Sequence, residues 1–246
     1  MSTARSAAVT PAQRPRLQRT RLRVVLIGAP VLAALVSLAA LVAGWAQTGT
    51  GLARFDEPLL AWMVSVRTPA AEVAVTAFTD LGQTLPMFAI GLPLTIALYW
   101  RYRRLSIWVL MVVAPLVSTS LASLLKLYFA HPRPPLSYAV APYETDFSLP
   151  SGHTTGSTVV AGMLAYLTVW LARSAWARVT AVIAASTWAI AMGISRLYLG
   201  HHWLTDVAFG WLLGLSWLTF LVLAHQLLLP ARTPTSAPEP AAATPS

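Results

Sequence analysis

The segment GHHWLTD, Gly200 to Asp206, puts two histidines and an aspartate at the start of a long apolar run, where ionisable groups are costly. His202 and Asp206 are four residues apart. On a helix they would share a face, separated by one turn and about 6 Å of rise. A carboxylate in that position needs a partner. Accepting the imidazole Nδ1–H would fix the tautomer and leave Nε2 free as a nucleophile or base. His201 is five residues from Asp206, about 140° around a helix, and cannot easily make that bond. The spacing therefore selects His202.

Two further segments carry matching chemistry. KLYFAHPRP, Lys126 to Pro134, ends an apolar run with a lysine and holds Arg133 between prolines that stiffen the chain. LPSGHTTG, Leu149 to Gly156, reads as a helix start, with Ser151 as N-cap, Gly152 allowing close backbone approach and His153 in the first turn. Free N–H groups at a helix start attract anions. Arg196 closes the apolar run before GHHWLTD, and a hairpin brings it to His202. Taken singly, these features also fit a snorkelling lysine, a loop arginine and a capped helix with a surface histidine. Together, Lys126, Arg133 and Arg196 suit the oxygens of a phosphoryl group, with donors from Ser151 to His153. One histidine can attack phosphorus while the other protonates the leaving oxygen. A zinc site on His202, Asp206 and His153 is the competing chemistry, but three nearby cations repel a metal and attract a phosphate. The expectation is therefore no metal and no cofactor.

The elements that must position these groups are membrane helices. Of 246 residues 57% are hydrophobic and only 10% charged, and the apolar residues come in long blocks. A span needs about 20 such residues. Val24–Ala46, Thr84–Trp100, Leu105–Leu125, Thr154–Ala172, Val179–Leu199 and Trp203–Leu229 qualify, so the expected fold is an all-α bundle of six transmembrane helices. The net charge of +9 sits in short arginine clusters between spans, which points to topology and away from a nucleic-acid partner. Those clusters, before Val24, at Arg101 to Arg104 and at Arg173 to Arg178, all fall on one side of a six-span layout. By the positive-inside rule that side, with both termini, is cytoplasmic, and the three reactive junctions face outward. Thr48 to Gln83 is also outward, and reads as one or two amphipathic surface helices broken by Pro58 and Pro69. Residues 1–20 and 230–246 read as disordered tails around a single membrane domain, 21–229. With no cysteine, disulfides and thiolate chemistry are excluded.

The motifs K-x6-RP (Lys126, Arg133, Pro134), PSGH (Pro150 to His153) and SR-x5-H-x3-D (Ser195, Arg196, His202, Asp206) resemble the three-part signature of the type 2 phosphatidic acid phosphatases. The resemblance covers roughly Leu105 to Leu229. It implies a nucleophilic His202 that forms a phosphohistidine, oriented by Asp206, with His153 as general acid and then base. Lys126, Arg133, Ser151, Gly152 and Arg196 would bind the phosphate, without a metal. The function expected is hydrolysis of a lipid phosphate or diphosphate at the outer face of the cell membrane, the partners being the lipid substrate and the bilayer. The same pocket in a non-catalytic lipid-phosphate binder or transporter is the alternative. Such a protein has no need of both histidines, and both are present. Neither the identity of the lipid nor the oligomeric state is legible in the sequence.

Overall fold

The computed structural model describes residues 14–228, with side chains from residue 21. Its long elements are α1 (Arg14–Thr48), α2 (Asp56–Ser65), α3 (Pro69–Asp80), α4 (Thr84–Tyr102), α5 (Leu105–Phe129), α6 (Gly152–Leu171), α7 (Ala175–Tyr198) and α8 (Leu204–Leu228). No strand occurs among the described residues. The tails expected at either end lie outside the described residues, apart from the first turns of α1. Most of α1 and the whole of α5, α6, α7 and α8 are long and apolar enough to cross a membrane. The sixth span differs from expectation: α3 and α4 qualify together, as a pair bent by 57° across Leu81–Gln83. The bend is packed against the site. A Cβ on Gly82 would stand 2.6 Å from the Met192 thioether and 3.1 Å from the His153 ring.

The expected surface segment also resolves differently. Pro58 falls in the first turn of α2, where its missing N–H costs nothing, so it does not break the helix. Pro69 occupies the first position of α3, and the Thr68 side chain accepts a hydrogen bond from Ala71 N–H as its N-cap. α3 packs on α7 and buries Thr79 there.

α6 is the central helix, in contact with α4, α5, α7 and α8. Its Val159, Met163 and Leu167 are fully enclosed, forming a core with Ile107, Leu110 and Ala114 of α5 and Leu221 of α8. Lipid tails are as apolar as these side chains, so the association draws on close packing and interhelical hydrogen bonds. Gly210 and Gly214 of α8 supply the close packing. A Cβ on Gly210 would lie 3.1 Å from Thr154 Cβ, and one on Gly214 would lie 2.9 Å from Thr158 Cβ. Trp217 on α8 donates to the Ala114 carbonyl on α5 at 3.0 Å, and Trp211 to Ala189 on α7 at 2.9 Å. Each such bond contributes on the order of 1 kcal/mol. The result brings the end of α5, the start of α6 and the α7–α8 turn to one end of the bundle.

Candidate active site

The turn between α7 and α8 is built by its glycine. Gly200 adopts φ +72° and donates to the Leu197 carbonyl, while His201 N–H donates to Arg196. This is the paired Schellman pattern that ends a helix and reverses the chain. A Cβ at Gly200 would meet the Tyr138 carbonyl at 2.2 Å. α8 begins at Leu204, so His202 lies just before the helix and not in its first turn as the four-residue spacing suggested. The predicted pairing survives: His202 Nδ1 is 3.3 Å from Asp206 Oδ2. Asp206, fully buried, has more partners than expected. Its Oδ2 accepts from Trp203 N–H at 2.8 Å, as a helix-capping carboxylate does, and makes a short hydrogen bond with the Ser148 hydroxyl.

The other side of the His202 ring defines its tautomer. Arg133 Nη1 lies 3.3 Å from His202 Nε2. A guanidinium can only donate, so Nε2 accepts and the ring proton resides on Nδ1, facing Asp206 and Ser148. His202 is 1% exposed. Its burial, reinforced by Arg133 and Arg196, holds the imidazole well below its ordinary pKa and keeps it neutral. His201 makes no bond to Asp206: its Nε2 is 2.6 Å from the Val140 carbonyl, at the wall of the cavity described below.

Ser151 caps α6 as expected, its side chain accepting from Thr154 N–H and Thr154 Oγ1–H. That oxygen is buried, and the Ser151 backbone N–H donates to the Asp206 carbonyl at 3.2 Å. Gly152 and His153 do line the cavity, and a Cβ on Gly152 would meet nothing within 4 Å. His153 Nε2 is buried without a hydrogen-bond partner. Arg196, 2% exposed, donates to Thr79 Oγ1 at 3.1 Å.

Three residues of the site were not singled out from the sequence. Glu144 bridges two of the candidate phosphate cations, pairing with Arg133 at 2.6 Å and with Arg196 at still shorter range. It also stands 3.7 Å from His202 Nε2 and 4.0 Å from His153 Nδ1. Asp146 pairs with Lys126 at 2.6 Å and with Arg133. Ser148 holds Asp206. A signal for the first two did exist: the chain has eight carboxylates, and YETD places two of them between KLYFAHPRP and PSGH. Burial works against ionisation of Glu144, but Arg196 and then Arg133 outweigh it and hold its pKa below the ordinary value. Asp146 is likewise lowered, its burial outweighed by hydrogen bonds and charge from Lys126 and Arg133.

The segment between α1 and α4 braces the turn. Asp56 on α2 accepts from Thr205 N–H at 2.9 Å and from its hydroxyl at 2.8 Å, capping α8. Arg67 donates to the Tyr198 carbonyl at the end of α7 at 2.7 Å and to the Tyr138 carbonyl at 2.6 Å. A carboxylate at a helix start and a cation at a helix end both complement the dipole.

From this end a cavity of about 750 Å³ runs between α4, α5 and α6, lined by Lys126, Glu144, His153 and Arg196 at the polar end and by Phe88, Leu92, Trp108 and Met111 deeper in. A family profile described as the PAP2 superfamily matches residues 105–229, the span that contains every candidate site residue. The chain belongs to the PAP2 superfamily. Among curated proteins it is 32% identical over 171 residues to phosphatidylglycerophosphatase B of Bacillus subtilis, covering 68% of this chain and 81% of that one. It is also 32% identical over 136 residues to an undecaprenyl-diphosphatase of Sulfolobus acidocaldarius, covering 54% and 61%. The crystal structure of a transmembrane PAP2-type phosphatidylglycerolphosphate phosphatase from Bacillus subtilis superposes with a TM-score of 0.75 at 25% identity, over 82% of this chain and 98% of that one. LpxE of Aquifex aeolicus shares the fold, with a TM-score of 0.50 at 23% identity over 69% and 94%. These findings support a multi-pass membrane PAP2 enzyme that hydrolyses lipid phosphates.

Proposed function

We propose that this PAP2 protein cleaves the phosphate or diphosphate group of a membrane lipid through a phosphohistidine on His202, at the extracytoplasmic face. His202 Nε2 attacks phosphorus and the bond to the leaving oxygen breaks as His153 supplies its proton. Asp206 and Ser148 hold the Nδ1 proton and stabilise the charge that develops on the ring. His153 then takes a proton from water, which attacks phosphorus, and the P–N bond breaks to free inorganic phosphate and His202. Lys126, Arg133, Arg196 and the N–H groups at the start of α6 neutralise the phosphoryl oxygens, Gly152 leaving room for them. As a phosphate draws Arg133 onto its own oxygens, Nε2 loses its donor and becomes available.

The observation that carries this reading is Glu144: an anion already sits between Arg133 and Arg196, within 4.0 Å of both histidines. The apolar depth of the cavity suits an acyl or prenyl tail. The names of the relatives favour phosphatidylglycerophosphate and a polyprenyl diphosphate as first substrates to try. The arginine distribution favours the extracytoplasmic face. The orphaned Nε2 of His153 favours an enzyme over a non-catalytic binder, since binding alone gives that atom nothing to do. Purified protein should release inorganic phosphate from phosphatidate, phosphatidylglycerophosphate or polyprenyl diphosphate without added metal, and orthovanadate should inhibit it as a mimic of the transition state. Activity lost to EDTA and restored by zinc would sink the mechanism.

A further inference from the structure

Glu144 has no part in the steps above, yet it holds the position a phosphoryl group must take. Its carboxylate lines the cavity, whereas Arg133 and His202 lie behind it and do not. Any anion that reaches His202 must therefore displace Glu144 from two guanidinium groups, and its charge decides whether it can. A phosphomonoester carries about 1.5 to 2 negative charges at neutral pH and three free oxygens. A phosphodiester headgroup, like a carboxylate, has one charge and two free oxygens, so the exchange gains nothing electrostatically. The tethered Glu144 also has the advantage of an effective concentration in the range of mM, which a free competitor must overcome.

We propose that Glu144 is a specificity-determining residue: a built-in competing carboxylate that keeps phosphodiester headgroups out of the pocket and yields to phosphomonoester and diphosphate groups. The inference rests on the phosphate-pocket reading above and names what that pocket rejects. Rejection matters at this position, because a cationic pocket that opens into the membrane is surrounded by diester headgroups at high local concentration. Specificity then comes from a repulsive element set beside the attractive one. The depressed pKa of Glu144 keeps the competitor ionised throughout the neutral range. Glu144 can move without unfolding a helix, because it lies in the irregular loop between α5 and α6.

The test compares wild-type protein with Glu144→Gln and Glu144→Asp in neutral detergent micelles. Binding of inorganic phosphate and of dihexanoyl phosphatidylglycerol, a short-chain diester, is measured by calorimetry. Wild type should prefer phosphate by about 100-fold, and Glu144→Gln should bind the diester on the order of 10-fold more tightly than wild type, narrowing that preference. Glu144→Asp, whose carboxylate is one methylene short of the arginines, should fall between the two. Diester affinity unchanged from wild type in both variants would overturn the proposal. Phosphate release from phosphatidate by wild type is measured separately. No release together with the expected binding pattern would defeat the phosphatase reading alone, whereas release with a flat binding pattern would defeat this inference alone.

Discussion

The α7–α8 turn and the acidic stretch Glu144–Asp146 meet at the same pocket but are held by different bonds. The turn is fastened by groups outside the pocket: the Schellman pattern at Gly200, Asp56 on Thr205, Arg67 on the Tyr198 carbonyl, and the Trp203 and Ser148 bonds to Asp206. The acidic side chains are fastened by the pocket itself, through Glu144 on Arg133 and Arg196 and Asp146 on Lys126 and Arg133. A phosphate must break the second set and has no access to the first. His202, the proposed nucleophile, is thus on a rigid support, while Glu144, which the proposed substrate displaces, is on a movable one. Such a division suits catalysis, which needs the nucleophile pre-positioned to within a fraction of an ångström.

The comparison can be tested from its strongest consequence downward. His202→Ala should cut phosphate release on the order of 10⁴-fold, since no other nitrogen in the turn can replace it. His201→Ala, which loses a contact with the Val140 carbonyl and a place at the cavity wall, should keep most of the activity; equal losses in the two variants would mean the wrong histidine has been assigned. Asp56→Ala removes the brace from α8. It should cost about 1 to 2 kcal/mol of stability and lower kcat about 10-fold with little change in KM, while Asp56→Asn recovers most of both. A fall in stability with kcat intact would make Asp56 a structural cap only.

Acidification should separate the two regions by the smallest effect. In the turn, burial depresses the pKa values of His201 and His202, so the unfolded chain takes up protons that the folded one refuses once the pH drops below about 6.5. Stability should therefore begin to fall there. Glu144 and Asp146 are depressed carboxylates, so their stabilisation is complete above about pH 4 and is lost only as the pH falls through their lowered folded-state values. Thermal melting in detergent should show Tm declining below about pH 6.5 in wild type and in Asp146→Asn alike, with the variant losing less in the more acidic range. A variant that instead loses the decline near neutrality would assign it to the loop.

Much of this arrangement was readable in advance. Long apolar blocks set the helix number, because a bilayer accepts only segments whose backbone bonds are satisfied internally. The four-residue spacing of His202 and Asp206 placed them in contact even though His202 sits two residues before the helix. The Asp206 carboxylate, in the first turn of α8, reaches back to Trp203 N–H and the His202 ring. Pro58 was misread as a breaker although the acidic pair Asp56 and Glu57 before it marks a helix start and places the proline in the first turn.

The sequence by itself determined which residues are candidates for the chemistry, since charged groups at the ends of apolar helices have few physical reasons to be there. Five of the long apolar spans and the hairpin between Arg196 and His202 were legible in the same local way, by lengths and spacings that need no distant partner, whereas the bent α3–α4 pair was not. Only the tertiary structure decided what those residues touch. Glu144 meets Arg196 across 52 residues, Asp56 meets Thr205 across 149, and Gly82 makes room for His153 from another helix. Contacts at such separations follow from how the helices pack, which no local spacing encodes, and they turn a set of phosphate-binding side chains into a pocket with its own anion already in place.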